Sequence, residues 1–193
     1  MTKANNRTSD VDIDSIFLER WSPRAMLGKP LKKEELMQLF EAARWAPSAS
    51  NSQPWRFVYA IKGTESFNNF LDILMPGNQR WCSKAGALII VVTKVLRDDG
   101  QRDITASFST GAAWQNLALQ GAKMNLVVHG MQGFDYGRAA KVIEIPPGFE
   151  VQMMIAVGYP GNKTELPEDL QARELPSNRN KTESFAFESR FTF

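Results

Sequence analysis

Residues 85–93, AGALIIVVT, form a continuous apolar run, rich in β-branched side chains, that reaches a polar residue only at Thr93. A run of this kind reads as a strand buried on both faces. Further strands are expected at 56–62, where Phe57, Tyr59 and Ile61 alternate with other residues, and at 126–129 and 150–159. Apolar positions at helical spacing predict a short helix to about Arg20, with Asp10 or Asp12 as cap. They predict longer helices at 32–46 (Leu36, Leu39, Phe40 and Ala43) and 65–75 (Phe67, Phe70, Leu71 and Leu74). Residues 104–124 should form a long helix whose middle, TGAAWQNLALQGA, is small and apolar nearly all round, suiting a core or a subunit interface. Asn125 is placed to end it in a left-handed turn. Asp135 should cap a last helix through Val142, after a turn at 130–134. The alternation of helices and strands indicates one α+β or α/β domain over residues 1–193, with 1–10 polar and flexible.

Residues 46–55, APSASNSQPW, cannot continue the helix before them. Pro47 lacks a backbone donor and biases Ala46 away from helical dihedrals. Ser48, Ser50, Asn51 and Ser52 favour local turns. Pro54 and Trp55 then lead directly into the strand, so an aromatic side chain pins the far end of the loop. A surface turn and a site for a polar planar ligand both fit these residues.

Composition excludes several functions. A net charge of +2 over 193 residues, with no dense Lys/Arg cluster, argues against nucleic acid. The single Cys82 rules out an internal disulfide, and the polar N-terminal residues lack an apolar signal core. No apolar run is long enough for a membrane span, so a cytoplasmic protein is expected. There is no G-x-G-x-x-G, Walker lysine loop, CxxC or HExxH, and the single His129 has no partner for a metal site. Beside a core strand, His129 reads as a structural residue. If the chain is an enzyme, these absences point to a cofactor as the reactive group.

Arg20-Trp21-Ser22-Pro23-Arg24, followed by EAARWAPSASNSQPWRF, resembles the opening of the nitroreductase-like FMN-dependent oxidoreductases. Stretches 78–81, 111–119 and 130–135 resemble further family elements in the same order, and the likeness covers about 15–185. The resemblance implies an α+β, three-layer α/β/α sandwich around a mixed, mainly antiparallel sheet. It also implies a homodimer with FMN at the subunit interface, and a C-terminal tail over the partner.

Site residues follow from the same resemblance. Arg20, Trp21 and Ser22 fall in the cofactor-binding element, with Arg20 and Ser22 at the phosphate and ribityl end and Arg24 toward N1/O2. Pro47, Ser48 and Ala49 match the segment that touches the flavin bound mainly by the other subunit, and Asn51 more readily braces that loop than meets FMN. Asn78 corresponds to an asparagine at the ring or ribityl edge. Met131, Gln132 and Gly133 correspond to the turn whose N–H faces N5. Arg179 and Lys181 match a C-terminal basic element at the phosphate. Ala49 lacks the hydroxyl many relatives carry, and Trp81 stands where several have lysine.

The expected activity is FMN-dependent oxidation of NADH or NADPH in a ping-pong cycle, with a small acceptor such as a nitroaromatic or quinone. The alternatives are a non-redox flavin store or sensor, and a same-fold enzyme acting on a dedicated metabolite or on the flavin itself. Phe185, Phe187, Phe191 and Phe193 alternate with polar residues at the C-terminus, a pattern a small soluble protein does not leave in water. Residues 184–193 are therefore expected to wrap the partner subunit, the alternative being a tail that folds back on its own chain.

Overall fold

The protein is described by a computed structural model over residues 7–191. Phe193 and residues 1–6, part of the expected flexible N-terminus, lie outside the described residues. The chain forms α1 (Ile16–Glu19), α2 (Lys33–Arg44), β1 (Trp55–Ile61), α3 (Glu65–Ile73), α4 (Pro76–Cys82) and β2 (Ala87–Lys94). It continues through α5 (Ala106–Lys123), β3 (Val127–Met131), α6 (Tyr136–Val142), β4 (Phe149–Gly158) and α7 (Glu168–Gln171).

The strands form one sheet in the order β1-β2-β4-β3. All three pairings among the described residues are antiparallel, in keeping with the mainly antiparallel sheet expected. β2 runs through the middle, and its alternating side chains supply two cores. Ala87, Ile89 and Val91 pack with α2 and α5 through Leu36, Leu39, Ala113 and Leu117. Leu88, Ile90 and Val92 pack with α3, α4 and α6 through Phe67, Phe70, Trp81 and Ala139. A run with no polar position can satisfy both layers, which is why the sheet lies inside an α/β/α sandwich.

Local signals set most element ends. The Thr64 hydroxyl accepts from Phe67 N–H at 3.2 Å, and Asp135 accepts from Arg138 N–H at 2.9 Å, capping α3 and α6 as N-cap residues do. Past the end of α5, Asn125 adopts φ +60°, and Leu126 N–H returns to Gly121 carbonyl at 2.8 Å. Gly121 lets the helix press on β3, since a Cβ there would lie 2.2 Å from Val128 Cγ2.

Two expectations are corrected. The first helix begins at Ile16, whose N–H is taken by Asp14 Oδ1 at 2.9 Å, so neither Asp10 nor Asp12 caps it. β3 extends to Met131, through two residues assigned to the following turn. Residues 76–82, for which no element was expected, form helix α4. Pro76 reads as a breaker but sits at the first helical position, where its missing N–H costs nothing.

Candidate functional site

Arg20 ends α1 in an extended conformation, its N–H bound to Ile16 carbonyl. Its guanidinium reaches Ser22 Oγ at 3.3 Å. Arg7 Nε donates to Ser177 carbonyl at 2.8 Å, and its Nη1 donates to the carbonyls of Arg20 (2.8 Å) and Leu18 (3.2 Å). Arg179 folds over the same turn, reaching Ser177 Oγ at 3.0 Å. The cations sense one another: Arg20 is pushed below the usual arginine range by burial, then by the charges of Arg7 and Arg179. Arginines drawn together by main-chain carbonyls form a concentrated positive field with fork donors, suited to a dianion.

Behind this cluster lies Glu174, only 6% exposed. Its Oε1 accepts from the N–H groups of Arg24 (2.7 Å) and Ala25 (2.8 Å). Its Oε2 lies 3.8 Å from Arg24 Nη1 and is buried without a hydrogen bond among the described residues. His129, on β3, braces the segment from the other side: Nδ1 lies 2.8 Å from Pro23 carbonyl, and the ring packs on Trp81 at 4.6 Å. A carbonyl only accepts, so Nδ1 carries the proton. Burial holds the ring neutral down to about pH 4, and the charges of Arg24 and Arg20 act in the same direction against bonds to the main chain. These contacts make His129 a brace for the main chain at Pro23.

The turn after β3 is tied to α4. Gly133 carbonyl accepts from Met75 N–H at 2.9 Å and from Asn78 Nδ2 at 3.0 Å. A Cβ at Gly133 would lie 2.6 Å from that amide nitrogen, so a larger residue here would displace the Asn78 side chain from this bond. Asn78 thus uses its donor on the turn and keeps its oxygen as an acceptor. Met131 points into the core, its sulfur 3.3 Å from Cys82 Sγ, which leaves only its main chain for a ligand. Gln132 is exposed.

The loop at 46–53 is a separate construction. Ser48 Oγ accepts from Gln53 N–H at 3.0 Å, and Gln53 Nε2 donates to Asn51 carbonyl at 3.1 Å. Ser50, Asn51 and Gln53 all take positive φ, between 47° and 55°. Pro47, Ala49 and Asn51 are exposed, while Ala46 and Trp55 anchor both ends in the α2–α5 core.

Among the described residues, no hydrogen bond or ion pair joins this loop to the segment at 20–24. The chain gathers Arg20, Ser22, Arg24 and Arg179 around one locality, with Trp21 half-buried in the same segment. The exposed Lys181 has no bond to that cluster, and Arg7 supplies the further cation. Arg7 and Glu174 were missed. Each sits in a polar stretch that reads as solvated, and each acts on residues far along the chain. Among the described residues, no helix is long and apolar enough to cross a membrane, and no His/Cys/Asp/Glu group could hold a metal ion.

The nitroreductase family model matches residues 18–75 and 60–159. A crystal structure described as an oxidoreductase containing FMN is 45% identical and superposes with a TM-score of 0.94, covering 100% of this chain and 99% of that one. A Rhodopseudomonas palustris protein with the provisional name NADH dehydrogenase/NAD(P)H nitroreductase is 29% identical over 146 residues, 66% of this chain and 74% of its own length. A provisionally named Desulfovibrio desulfuricans nitroreductase solved with FMN shares the fold at 19% identity and a TM-score of 0.73, covering 95% of this chain and 100% of that one.

Proposed function

The chain belongs to the nitroreductase family, and from that premise we propose that it is an FMN-dependent oxidoreductase that draws hydride from NADH or NADPH. It delivers the reducing equivalents to a small oxidised acceptor, such as a nitroaromatic or quinone, in a ping-pong cycle. The observation that carries this reading is the mutual approach of Arg7, Arg20 and Arg179 beside Ser22. That donor set fits a terminal phosphate: fork-shaped cations for the dianion and a hydroxyl for the ribityl end. The similarity to an oxidoreductase containing FMN supports the same reading.

The chemistry FMN supplies when bound is two-electron transfer at N5 of its ring. The chain's own residues bind and orient. Arg20, Ser22 and Arg179 hold the phosphate end, with Arg7 completing the field. Arg24 provides positive charge for the N1/O2 edge, partly offset by Glu174. The turn at 131–133, fixed through the Gly133 carbonyl by Asn78 and Met75, offers main-chain N–H groups at close range. The loop at 46–53 covers the ring bound by the partner subunit. Its anchoring in the α2–α5 core, with no hydrogen bond to the segment at 20–24 among the described residues, supports a site completed by two chains.

The test is spectroscopic. Purified protein should show flavin absorbance that NADH or NADPH bleaches without oxygen and that an added acceptor restores. A colourless protein that ignores added FMN refutes the proposal. A yellow protein that neither nicotinamide bleaches indicates a store or sensor.

The same proposal includes a homodimer and a cytoplasmic setting. Ile104 and Phe108 are 86% and 85% exposed at the start of α5, an apolar surface suited to a second copy. Phe185 and Phe191 are also exposed, which fits a tail that covers a partner. Deleting residues 184–193 should give a monomer that loses FMN, and an unchanged dimer by light scattering would refute the assignment.

A further inference from the structure

Glu174 is the buried carboxylate among the described residues, and burying a carboxylate is costly unless its oxygens are used. Oε1 is used fully, accepting from two successive main-chain N–H groups at 2.7 and 2.8 Å. Oε2 makes only the long approach to Arg24. Glu174 therefore grips the backbone at 24–25 more strongly than it pairs with a guanidinium. The gripped residues lie just beyond Ser22. Glu174 itself is five positions before Arg179, on a segment whose upstream end is fixed by Leu170 in the core. Between them, Ser177 carbonyl is held by Arg7, which also holds Arg20 carbonyl. Two latches thus fasten the C-terminal segment to the segment at 20–25, and Glu174 is the more buried of them.

We propose that Glu174 is a positioning residue that sets Arg179 in register with Arg20, and thereby determines how strongly the site prefers a flavin with a terminal phosphate to one without. This rests on the reading that the FMN phosphate occupies the arginine cluster. Without the carboxylate, the N–H groups of Arg24 and Ala25 lose their acceptor and the segment at 174–179 is tied by Arg7 alone. The arginines then no longer converge. Glutamine at the position keeps an oxygen for both N–H groups and removes a negative charge from the neighbourhood of a dianion.

The experiment is titration of flavin-stripped protein with FMN and with riboflavin, following flavin fluorescence, for wild type, Glu174→Ala, Glu174→Gln and Glu174→Asp. Circular dichroism and a thermal melt accompany each variant. The ratio of the two affinities separates positioning from general loosening, because a merely structural defect lowers both together. Glu174→Ala should shrink the FMN preference by about tenfold or more, the scale of a lost charge-assisted bond, with riboflavin affinity little changed. Glu174→Gln should keep or raise the preference. Glu174→Asp, one methylene shorter, should lose part of it, and serves as the deciding variant if alanine prevents folding. A wild-type preference that survives Glu174→Ala and Glu174→Asp intact overturns the proposal alone. So does a glutamine variant as impaired as alanine. A wild type that binds riboflavin as tightly as FMN overturns the phosphate reading and the proposal with it.

Discussion

The cation cluster and the loop at 46–53 are both polar, yet they are held in opposite ways. The cluster is tied by bonds that span 170 residues (Arg7 to Ser177), 150 (Glu174 to Arg24) and 106 (His129 to Pro23). The loop is tied by bonds that span five residues or fewer (Gln53 to Ser48, Gln53 to Asn51). The cluster therefore exists only when the whole domain is folded, and weakening it should disturb both stability and ligand affinity. The loop carries its geometry locally, so a change there should cost little outside it. Each prediction below sets one region against the other.

The largest effect is expected at His129. The unfolded chain protonates this imidazole near its ordinary value of 6.5, while the folded chain keeps it neutral to about 4. Below about pH 6.5 the unfolded state binds more protons, so the contribution is complete above that pH and is lost as pH falls toward 4. At about pH 5 this lowers stability by about 2 kcal/mol relative to neutral pH. His129→Gln cannot titrate, so its denaturant-measured stability should fall less between about pH 7 and pH 5 than that of wild type. Matching acid limbs would break the claim that a neutral ring braces Pro23.

Next comes Arg20→Ala. Loss of a half-buried fork donor should weaken FMN binding by about 10- to 20-fold and leave riboflavin nearly unaffected, read by fluorescence titration. Arg179→Ala should follow in the same direction with a smaller loss, because its guanidinium is exposed. Equal weakening toward both flavins would place the phosphate elsewhere.

This contrast also explains what was legible before folding. The central strand, the three longer helices and the caps at Asp135 and Asn125 follow from periodicity and local chemistry, which need no knowledge of distant residues. The loop at 46–53 was legible for the same reason. Arg7 and Glu174 were not, since what distinguishes them from solvated residues is a backbone partner far along the chain. Helix α4 was hidden by Pro76, which marks a helix start as readily as a stop. Asn78 could be matched to a family position, but its bond to Gly133 carbonyl depends on a turn 55 residues away.

On the loop side, Ser48→Ala removes the oxygen that accepts Gln53 N–H. The orphaned donor is exposed and can turn to water, so the cost should be about 0.5–1 kcal/mol by thermal melting. The preference for FMN over riboflavin should be unchanged. A shifted preference would mean that the loop and the cluster are coupled within one chain.

The smallest effect is expected from Gln53→Gly. Gln53 sits at φ +47°, a region that costs an L-residue roughly 1–2 kcal/mol and glycine almost nothing. Against this relief stand the greater freedom of glycine in the unfolded chain, about 0.4–1 kcal/mol, and the lost bond to Asn51 carbonyl. The two sides nearly cancel, so the melting temperature should barely move. A loss above about 2 kcal/mol, the range reserved for disrupted cores and buried networks, would mean that Gln53 is held by tertiary contacts rather than by its own turn. The two regions would then differ in degree and not in kind.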